Sequence, residues 1–265
     1  MALEAGAKLT ATLNSILAQD YRDYEVIIKD GGSKDGSVEA LYESGILKDR
    51  DNVHIFVEKD MGIYDAMNQA LSHINGSYVQ FLNCGDCYHD EYVLSSLAKE
   101  LVYHEYPHII YGDQYNLLQK SKVTSNPKLD EYALFRNVPC HQVCFYDSRL
   151  FEKRGYLTKY SVRADYEHFL YCIYEEKAVA KHTDIIVCDY EGGGYSETGP
   201  NRKKSALQHR EITEHYMGER AGRYRRRILL SGGPIRTALA NSSLTAGIYN
   251  SIKSRIYGNK GSNDL

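Results

Sequence analysis

The feature that most constrains the fold is the alternation of short β-branched runs with helical patterns through the first two-thirds of the chain. Strands are predicted over residues 25–30, 53–57 and 78–83, and helices over residues 9–17, 38–42, 64–74 and 91–103. This alternation is typical of the α/β class, with helices flanking a mostly parallel central sheet. Ligands of such sheets bind beyond the carboxyl ends of the strands. Those ends lie here at Asp30, residues 58–60 and residues 83–86, which are rich in acidic side chains.

Length and composition predict one large domain with an extension. Residues 1–200 carry the α/β pattern, whereas residues 201–265 are basic and have a helical pattern. Hydrophobic residues make up 43% of the 265 positions, which is enough for a sizeable core. The formal net charge of −3 provides no general attraction for nucleic acid, so we expect no nucleic-acid partner.

The cysteines and the hydropathy pattern predict a cytoplasmic protein. Cys84 and Cys87 have the spacing of a zinc knuckle or a redox pair, but no second pair follows at finger spacing. Free thiols in a reducing compartment are therefore favoured. The first eight residues lack the apolar core of a signal peptide, and no apolar run reaches membrane-spanning length.

Three short segments near the predicted strand ends have the residue types of a binding site. Asp30 precedes two glycines, which allow a sharp turn and a close approach to a flat ligand. Asp65 and Asn68 are three residues apart and share a helix face behind Gly62. Residues 83–86 form an oxygen-rich turn, which suits a Mg²⁺ or Mn²⁺ ion that also binds substrate phosphates. Each segment alone is equally compatible with a plain turn or a capped surface helix.

The three segments follow one another in a fixed order. They read Asp-Gly-Gly-Ser-x-Asp-Gly at residues 30–36, Glu-x-Asp-x-Gly-Ile-Tyr-Asp-Ala-Met-Asn at 58–68 and Phe-Leu-Asn-x-Gly-Asp at 81–86. Further matching stretches lie at residues 139–142, 164–167 and 190–196. Over about residues 9–200, this set resembles the family 2 glycosyltransferases of the Rossmann-like GT-A fold. Within that family the set looks like the colanic-acid-type branch, which builds bacterial surface polysaccharides.

The resemblance implies a donor site for a UDP- or GDP-sugar. Asp30 would accept a hydrogen bond from the nucleotide base. Asp86 stands where the family's carboxylate binds the metal ion and the donor phosphates, so Mg²⁺ or Mn²⁺ is the implied cofactor. This turn has an asparagine where a second acid is usual. The residues assigned to nucleotide-sugar binding are Asp30, Gly32, Asp60, Asp65, Asn83 and Gln142.

The resemblance also implies the chemistry of transfer. Asp165 matches the general base, which takes the proton of a sugar hydroxyl during its attack. His141 is the second residue assigned to catalysis, and with Gln142 it would contact the donor sugar or the acceptor. A buried structural role is the alternative for His141. The implied reaction is a single in-line displacement that inverts the anomeric carbon, with a saccharide or a polyprenyl-linked acceptor.

The beginning of the sequence departs from the family pattern. Members normally start with an apolar strand at the centre of the sheet, whereas residues 1–8 here correspond to the loop and helix that follow it. We therefore expect the first strand to be missing. This motivates a second hypothesis, a non-catalytic remnant that binds a nucleotide or a partner protein. A sugar nucleotidyltransferase is disfavoured, because the glycine-rich loop with Arg and Lys that this class needs near its N-terminus is not present.

The basic extension leaves two interpretations open. Five arginines lie between residues 220 and 227 and are followed by Ile-Leu-Leu at 228–230. Such a segment suits peripheral contact with the anionic inner face of a membrane, where a lipid-linked acceptor would lie. The alternative is a solvated helix that packs on the catalytic domain.

Overall fold

The computed structural model describes residues 1–101, 105–192 and 199–231. The chain divides into two compact units, residues 1–212 and residues 213–265, and residues 213–231 are the described part of the second unit. The boundary falls inside a helix that begins at Gly199. Composition predicts a division after residue 200.

The described residues contain eight α-helices, two short 3₁₀ helices (His141–Val143 and Ser148–Phe151) and eight strands. The helices are α1 (Ala7–Leu17), α2 (Ser37–Glu43), α3 (Ile63–Leu71), α4 (Val93–Ala98), α5 (Glu131–Arg136), α6 (Ala164–Tyr174), α7 (Gly199–Met217) and α8 (Glu219–Leu230). The strands are β1 (Val26–Asp30), β2 (Val53–Val57), β3 (Tyr78–Val79), β4 (Cys87–Tyr88), β5 (His108–Asn116), β6 (Ser121–Val123), β7 (Cys144–Asp147) and β8 (Val179–Tyr190).

The spacing of its leucines allows α1 to pack against β1. Leu9, Leu13 and Leu17 recur every fourth residue and are buried on one helix face. They belong to one apolar cluster with Val26 and Ile28 of β1. This packing fixes the carboxyl end of β1 near the start of α1, at one edge of the candidate site.

The strands form two sheets. β1 and β2 pair in parallel, and a six-stranded sheet has the order β3-β7-β5-β8-β4, with β6 beside β5. In the larger sheet β5 and β8 are parallel, whereas the other pairs are antiparallel. The α/β class is confirmed, but a mostly parallel sheet is wrong in detail, because the sheet is mixed. A four-residue connection joins β5 to β6, and so short a connection can join only antiparallel strands.

The two sheets approach each other at the first residues of the chain. Ala2 forms a parallel bridge with Asp30, in which its amide donates to the Lys29 carbonyl at 2.9 Å and its carbonyl accepts from the Gly31 amide at 2.9 Å. On the other side, the Met1 ammonium donates to the Leu82 carbonyl at 3.2 Å. Behind these residues a cavity of about 520 Å³ separates β1 from residues 78–82.

An aromatic cluster fills the core beside α6. His168 is fully buried on this helix and stacks on Phe151, with ring centroids 4.5 Å apart and an angle of 12° between the planes. The rings of Tyr146, Tyr156 and Tyr171 surround it. Among the described residues, neither ring nitrogen of His168 has a hydrogen-bond partner. Burial, with a smaller contribution from the charge of Arg154, lowers the pKa of His168 from 6.5 to about 3.

Within the described ranges, no helix has both the length and the apolar character needed to cross a bilayer.

Candidate active site

The carboxylate of Asp30 shapes the turn that follows β1. Asp30 is fully buried, and its Oδ2 accepts from the amides of Gly32 and Ser33, both at 2.8 Å. Its Oδ1 accepts from the Ser33 hydroxyl at 2.6 Å. Gly32 has a φ of 93°, a conformation that favours glycine. The predicted contact of Asp30 with a nucleotide base stays a prediction, since its side chain is engaged within this turn.

A buried lysine joins the ends of β1 and β2. Lys29 is fully buried, and its Nζ donates to the carbonyls of Asp30, at 2.9 Å, and of Glu58. The same nitrogen lies 3.5 Å from Oδ2 of Asp60. A Cβ added to Gly31 would lie 2.8 Å from that oxygen, so the turn brings its backbone against the carboxylate. Sequence reasoning missed Lys29, although a lysine inside an apolar strand was a visible signal.

Asp60 and Asp65 both stabilise the entry to α3. Oδ1 of Asp60 accepts from the Gly62 amide at 3.0 Å. Oδ2 of Asp65 accepts from the Met61 amide at 2.9 Å and from the Gln69 side chain at 3.1 Å. Asp65 lies in the first helical turn, where the helix dipole favours a negative charge. These hydrogen bonds fit the interpretation of a capped surface helix. The contact of both residues with the nucleotide-sugar donor stays a prediction.

Asp86 is the buried acid of the 83–86 turn. Its side chain accepts from Gln142 Nε2 at 3.0 Å and from the Glu191 amide at 3.1 Å. The residue is only 4% exposed. Burial raises the pKa of this carboxyl above its ordinary value, although the two hydrogen bonds oppose the shift. The turn is anchored to α1, because the Thr12 hydroxyl donates to the Asp86 carbonyl at 2.8 Å.

A chain of hydrogen bonds leads from the same turn to Asp165. Asn83 Nδ2 lies 3.0 Å from His141 Nε2, and His141 Nδ1 lies 3.4 Å from Asp165 Oδ2. An Asn83 amide that donates to Nε2 leaves the ring proton on Nδ1, where it faces the carboxylate. Asp165 Oδ1 accepts from the Tyr64 hydroxyl and from the Tyr166 amide, both at 2.8 Å. The structure thus connects a predicted base to the predicted metal-binding turn.

Asp165 combines a charged state with access to solvent. Burial raises the pKa of its carboxyl, but the hydrogen bond and charge of His141 and the hydrogen bonds from Tyr64 and Tyr166 lower it, and the net pKa lies below the ordinary value. The group is therefore ionised at neutral pH. Its side chain is 27% exposed. An ionised carboxylate that a ligand can reach is suited to accept a proton.

The predicted site residues fall into two groups. One group is joined by side-chain hydrogen bonds around the 83–86 turn, and the other lies in the turns after β1 and β2. Sequence reasoning missed Tyr64, which resembles a core aromatic until its contact with Asp165 is seen. The first group is Asn83, Asp86, His141, Gln142 and Asp165, and the second is Asp30, Gly32, Asp60 and Asp65.

The 83–86 turn offers oxygen ligands to a divalent cation. Oδ1 of Asn83 is buried and has no hydrogen-bond partner among the described residues. With the Asp86 carboxylate it supplies hard oxygen donors, which Mg²⁺ and Mn²⁺ prefer. The described residues contain no cluster of three acidic, histidine or cysteine ligands. The turn therefore fits an ion that draws its other ligands from water and phosphate.

Comparison with known proteins identifies the family. The profile described as "Glycosyl transferase family 2" matches residues 2–159. A "PGL/p-HBAD biosynthesis glycosyltransferase" of Mycobacterium tuberculosis (strain ATCC 25177 / H37Ra) is 32% identical over 199 residues, which cover 74% of this chain and 77% of the relative. An uncharacterized glycosyltransferase of Mycobacterium tuberculosis (strain ATCC 25618 / H37Rv) is 29% identical over 206 residues, which cover 75% of this chain and 74% of that protein.

Solved structures share the fold at low sequence identity. The crystal structure of S. aureus TarS 1–349 in complex with UDP has a TM-score of 0.64 and 13% identity, and the match covers 84% of this chain and 67% of that chain. The mannosyltransferase PcManGT from Pyrobaculum calidifontis, in complex with GDP-Man and Mn²⁺, has a TM-score of 0.57 and 18% identity over 96% of this chain and 77% of that chain. The predicted α/β GT-A architecture is confirmed. By profile and by sequence identity, the chain belongs to glycosyl transferase family 2 and is a transferase enzyme.

Proposed function

We propose that this protein transfers a sugar from a nucleoside diphosphate sugar to a hydroxyl group of a saccharide or polyprenyl-linked acceptor in the synthesis of bacterial surface polysaccharides. The observation that carries the proposal is the ionised, partly exposed carboxylate of Asp165, connected through His141 to the turn of Asp86. The Mycobacterium relative is named for PGL/p-HBAD biosynthesis. Its name supports a glycosylated product.

The base in this proposal is Asp165. A sugar hydroxyl is a weak nucleophile until its proton is removed during attack, and a carboxylate within hydrogen-bond distance can take that proton. The hydroxyl oxygen then displaces the nucleoside diphosphate in line, which inverts the anomeric carbon. His141 donates to the carboxylate from Nδ1 and thereby holds it toward the turn that would bind the diphosphate.

The donor would lie between the two groups of site residues. Asp86 and Asn83 would hold Mg²⁺ or Mn²⁺ at the diphosphate, while Gln142 fixes the Asp86 carboxylate. When bound, the ion would neutralise negative charge that develops on the departing diphosphate. The turns of Asp30, Gly32, Asp60 and Asp65 would surround the nucleoside. TarS complexes with UDP and UDP-GlcNAc, and the PcManGT complex with GDP-Man and Mn²⁺, support a donor of this kind.

The test is Asp165→Asn, which keeps the shape of the side chain and removes its charge. Transfer should fall by at least about 100-fold, the range for loss of a general base, while UDP-sugar binding by titration calorimetry stays unchanged. Asp184→Asn is the matched control, because the Asp184 side chain is fully exposed on β8. Equal turnover by the wild-type protein and Asp165→Asn would refute the assignment.

A second candidate is a nucleotide-binding protein without transfer activity. The 520 Å³ cavity beside β1 and the engaged carboxylate of Asp30 favour it, because both lie on the donor side. The two functions differ in one assay. A transferase should hydrolyse its UDP-sugar slowly with Mn²⁺ in the absence of acceptor, whereas the binding protein would be stabilised by UDP and release no free sugar.

We also propose that the described part of the second unit contacts an anionic membrane surface. Arg223, Arg226 and Arg227 are exposed at helical spacing on α8, and Leu230 is 89% exposed on the same face. Each arginine near an anionic surface contributes about 1 kcal/mol. Flotation with vesicles of phosphatidylglycerol and phosphatidylcholine should recover the full chain, and Arg223→Glu/Arg226→Glu should float at least about tenfold less. Equal flotation of both proteins would instead favour the solvated-helix interpretation, and Lys34→Glu serves as the charge control.

A further inference from the structure

The two oxygens of Asp165 have different surroundings. Oδ1 accepts two hydrogen bonds at 2.8 Å, from the Tyr64 hydroxyl and from the Tyr166 amide. Oδ2 has one long contact, 3.4 Å from His141 Nδ1. Since a carboxylate oxygen with two good donors is a poorer proton acceptor than its neighbour, Oδ2 is the atom better able to receive a proton.

Tyr64 reaches Asp165 from a different part of the chain. It is the second residue of α3, and the helix starts after Gly62, which has a φ of 128°. Its ring is buried, with 7% of the residue exposed, and packs beside Tyr156 at a centroid distance of 5.6 Å. The hydroxyl lies 2.8 Å from Asp165 Oδ1 and 3.1 Å from the Val162 carbonyl, and its single proton is drawn to the charged oxygen.

The Tyr64 hydroxyl stays protonated and can therefore donate a hydrogen bond. Burial and the charge of Asp165 raise the pKa of Tyr64 well above its ordinary value, so the hydroxyl keeps its proton over the whole working range of an enzyme. A second tyrosine nearby does not share this role. Tyr156 is buried, yet its hydroxyl has no hydrogen-bond partner among the described residues.

We propose that Tyr64 is a positioning residue, which fixes Asp165 Oδ1 and thereby leaves Oδ2 to take the proton of the acceptor hydroxyl. The inference rests on the proposed role of Asp165 as the base. The inference gives a residue of α3, on the nucleotide-sugar side of the site, a role in the reaction. The entry of this helix is also the segment that Asp60 and Asp65 stabilise.

The surroundings of Asp165 make its titration a usable readout. Removal of the Tyr64 hydroxyl takes away one donor to the charged form, so the pKa of Asp165 should rise. The contacts of Asp165 with His141 and with the Tyr166 amide do not involve that hydroxyl. The titratable and charged groups that face Asp165 from the neighbouring elements are Tyr64 of α3, His141, Cys140, Cys144, Tyr146 and Tyr156.

The experiment compares Tyr64→Phe with Tyr156→Phe in the full chain. Tyr64→Phe should lower kcat by about 10- to 100-fold, the range for a hydrogen bond to a charged group, with donor KM unchanged. The acid limb of kcat/KM should move upward by about one pH unit or more. Tyr156→Phe removes a hydroxyl that makes no hydrogen bond to any described residue, and it should leave both quantities unchanged.

A second readout separates this inference from the proposed function. The Asp165 carboxyl is titrated by carbon NMR in protein with labelled aspartate, and Asp165→Asn identifies its signal. A pKa that rises in Tyr64→Phe and not in Tyr156→Phe supports the positioning role even if no donor is ever turned over. An unchanged Asp165 titration in a folded Tyr64→Phe protein overturns it. An unchanged kcat and acid limb would do the same in an active enzyme.

Discussion

His168 should make the protein sensitive to mild acid. The ring is fully buried between aromatic side chains, and neither nitrogen has a partner among the described residues. Its protonated form would place an unpaired charge in the core, so the folded protein resists protonation. The perturbation is His168→Phe, which keeps an aromatic ring against Phe151 and removes the titrating group.

The size of the effect follows from the two pKa values. Burial lowers the pKa of His168 from 6.5, the value expected in the unfolded chain, to about 3 in the folded protein. The unfolded state therefore binds the proton more tightly, and the free energy of unfolding falls as the pH drops below 6.5 and levels off near pH 3. The loss between pH 7 and pH 5 is about 2 kcal/mol.

The assay is urea unfolding at pH 7, 6 and 5 for the wild-type protein and His168→Phe. Other groups titrate in both proteins, so the quantity of interest is the difference between their free energies of unfolding. That difference should shift in favour of the variant by about 2 kcal/mol from pH 7 to pH 5. His54→Gln, at an exposed position of β2, should show no such shift. A constant difference between wild type and His168→Phe across this range would refute the reasoning.

Two further substitutions test contacts of the site. Lys29→Met should lower the free energy of unfolding by about 3 kcal/mol, because it leaves the Asp60 carboxylate, 9% exposed, without its buried partner. The measurement is urea unfolding, with Lys34→Met at an exposed position as the control. A loss no larger than that of the control would contradict the prediction. Gln142→Leu removes a donor to Asp86, so the pKa of that carboxyl should rise further and Mn²⁺ binding, measured by paramagnetic resonance, should weaken by at least about tenfold. Unchanged Mn²⁺ affinity would separate Gln142 from the proposed metal site.

Local patterns predict the elements near the site better than they predict the sheet. The spacing of Leu9, Leu13 and Leu17 locates α1, and the run before Asp30 locates β1. The predicted strand over residues 78–83 is reduced to β3, since only Tyr78 and Val79 pair with a neighbour. β7 has only four residues, which are too few for a periodic signal in the sequence. Strand order and direction depend on contacts between distant segments, which local periodicity does not contain.

Contacts between the site residues also join distant segments, which local sequence patterns do not predict. Motif order identified Asn83 and Asp165 as candidates. The structure connects them through His141, which lies 58 positions after Asn83 and 24 positions before Asp165. The contact of Tyr64 with Asp165 spans 101 positions and has no local signature. Tyrosine in an amphipathic helix is most often a core residue, and only the position of its hydroxyl shows a second role.

The cavity between the sheets also has a dynamic consequence. Within the described chain, β1 pairs along its length with β2, and on its other side only the bridge at Ala2 is present. β5, by contrast, pairs with β8 on one side and with β6 and β7 on the other, so more inter-strand hydrogen bonds hold its backbone. In amide hydrogen exchange we therefore expect β1 and β2 to open at lower free energy than β5 and β8. The turns of Asp30 and Asp60 would then fluctuate together with β1 and β2. The backbone around Asp165 would stay protected from exchange.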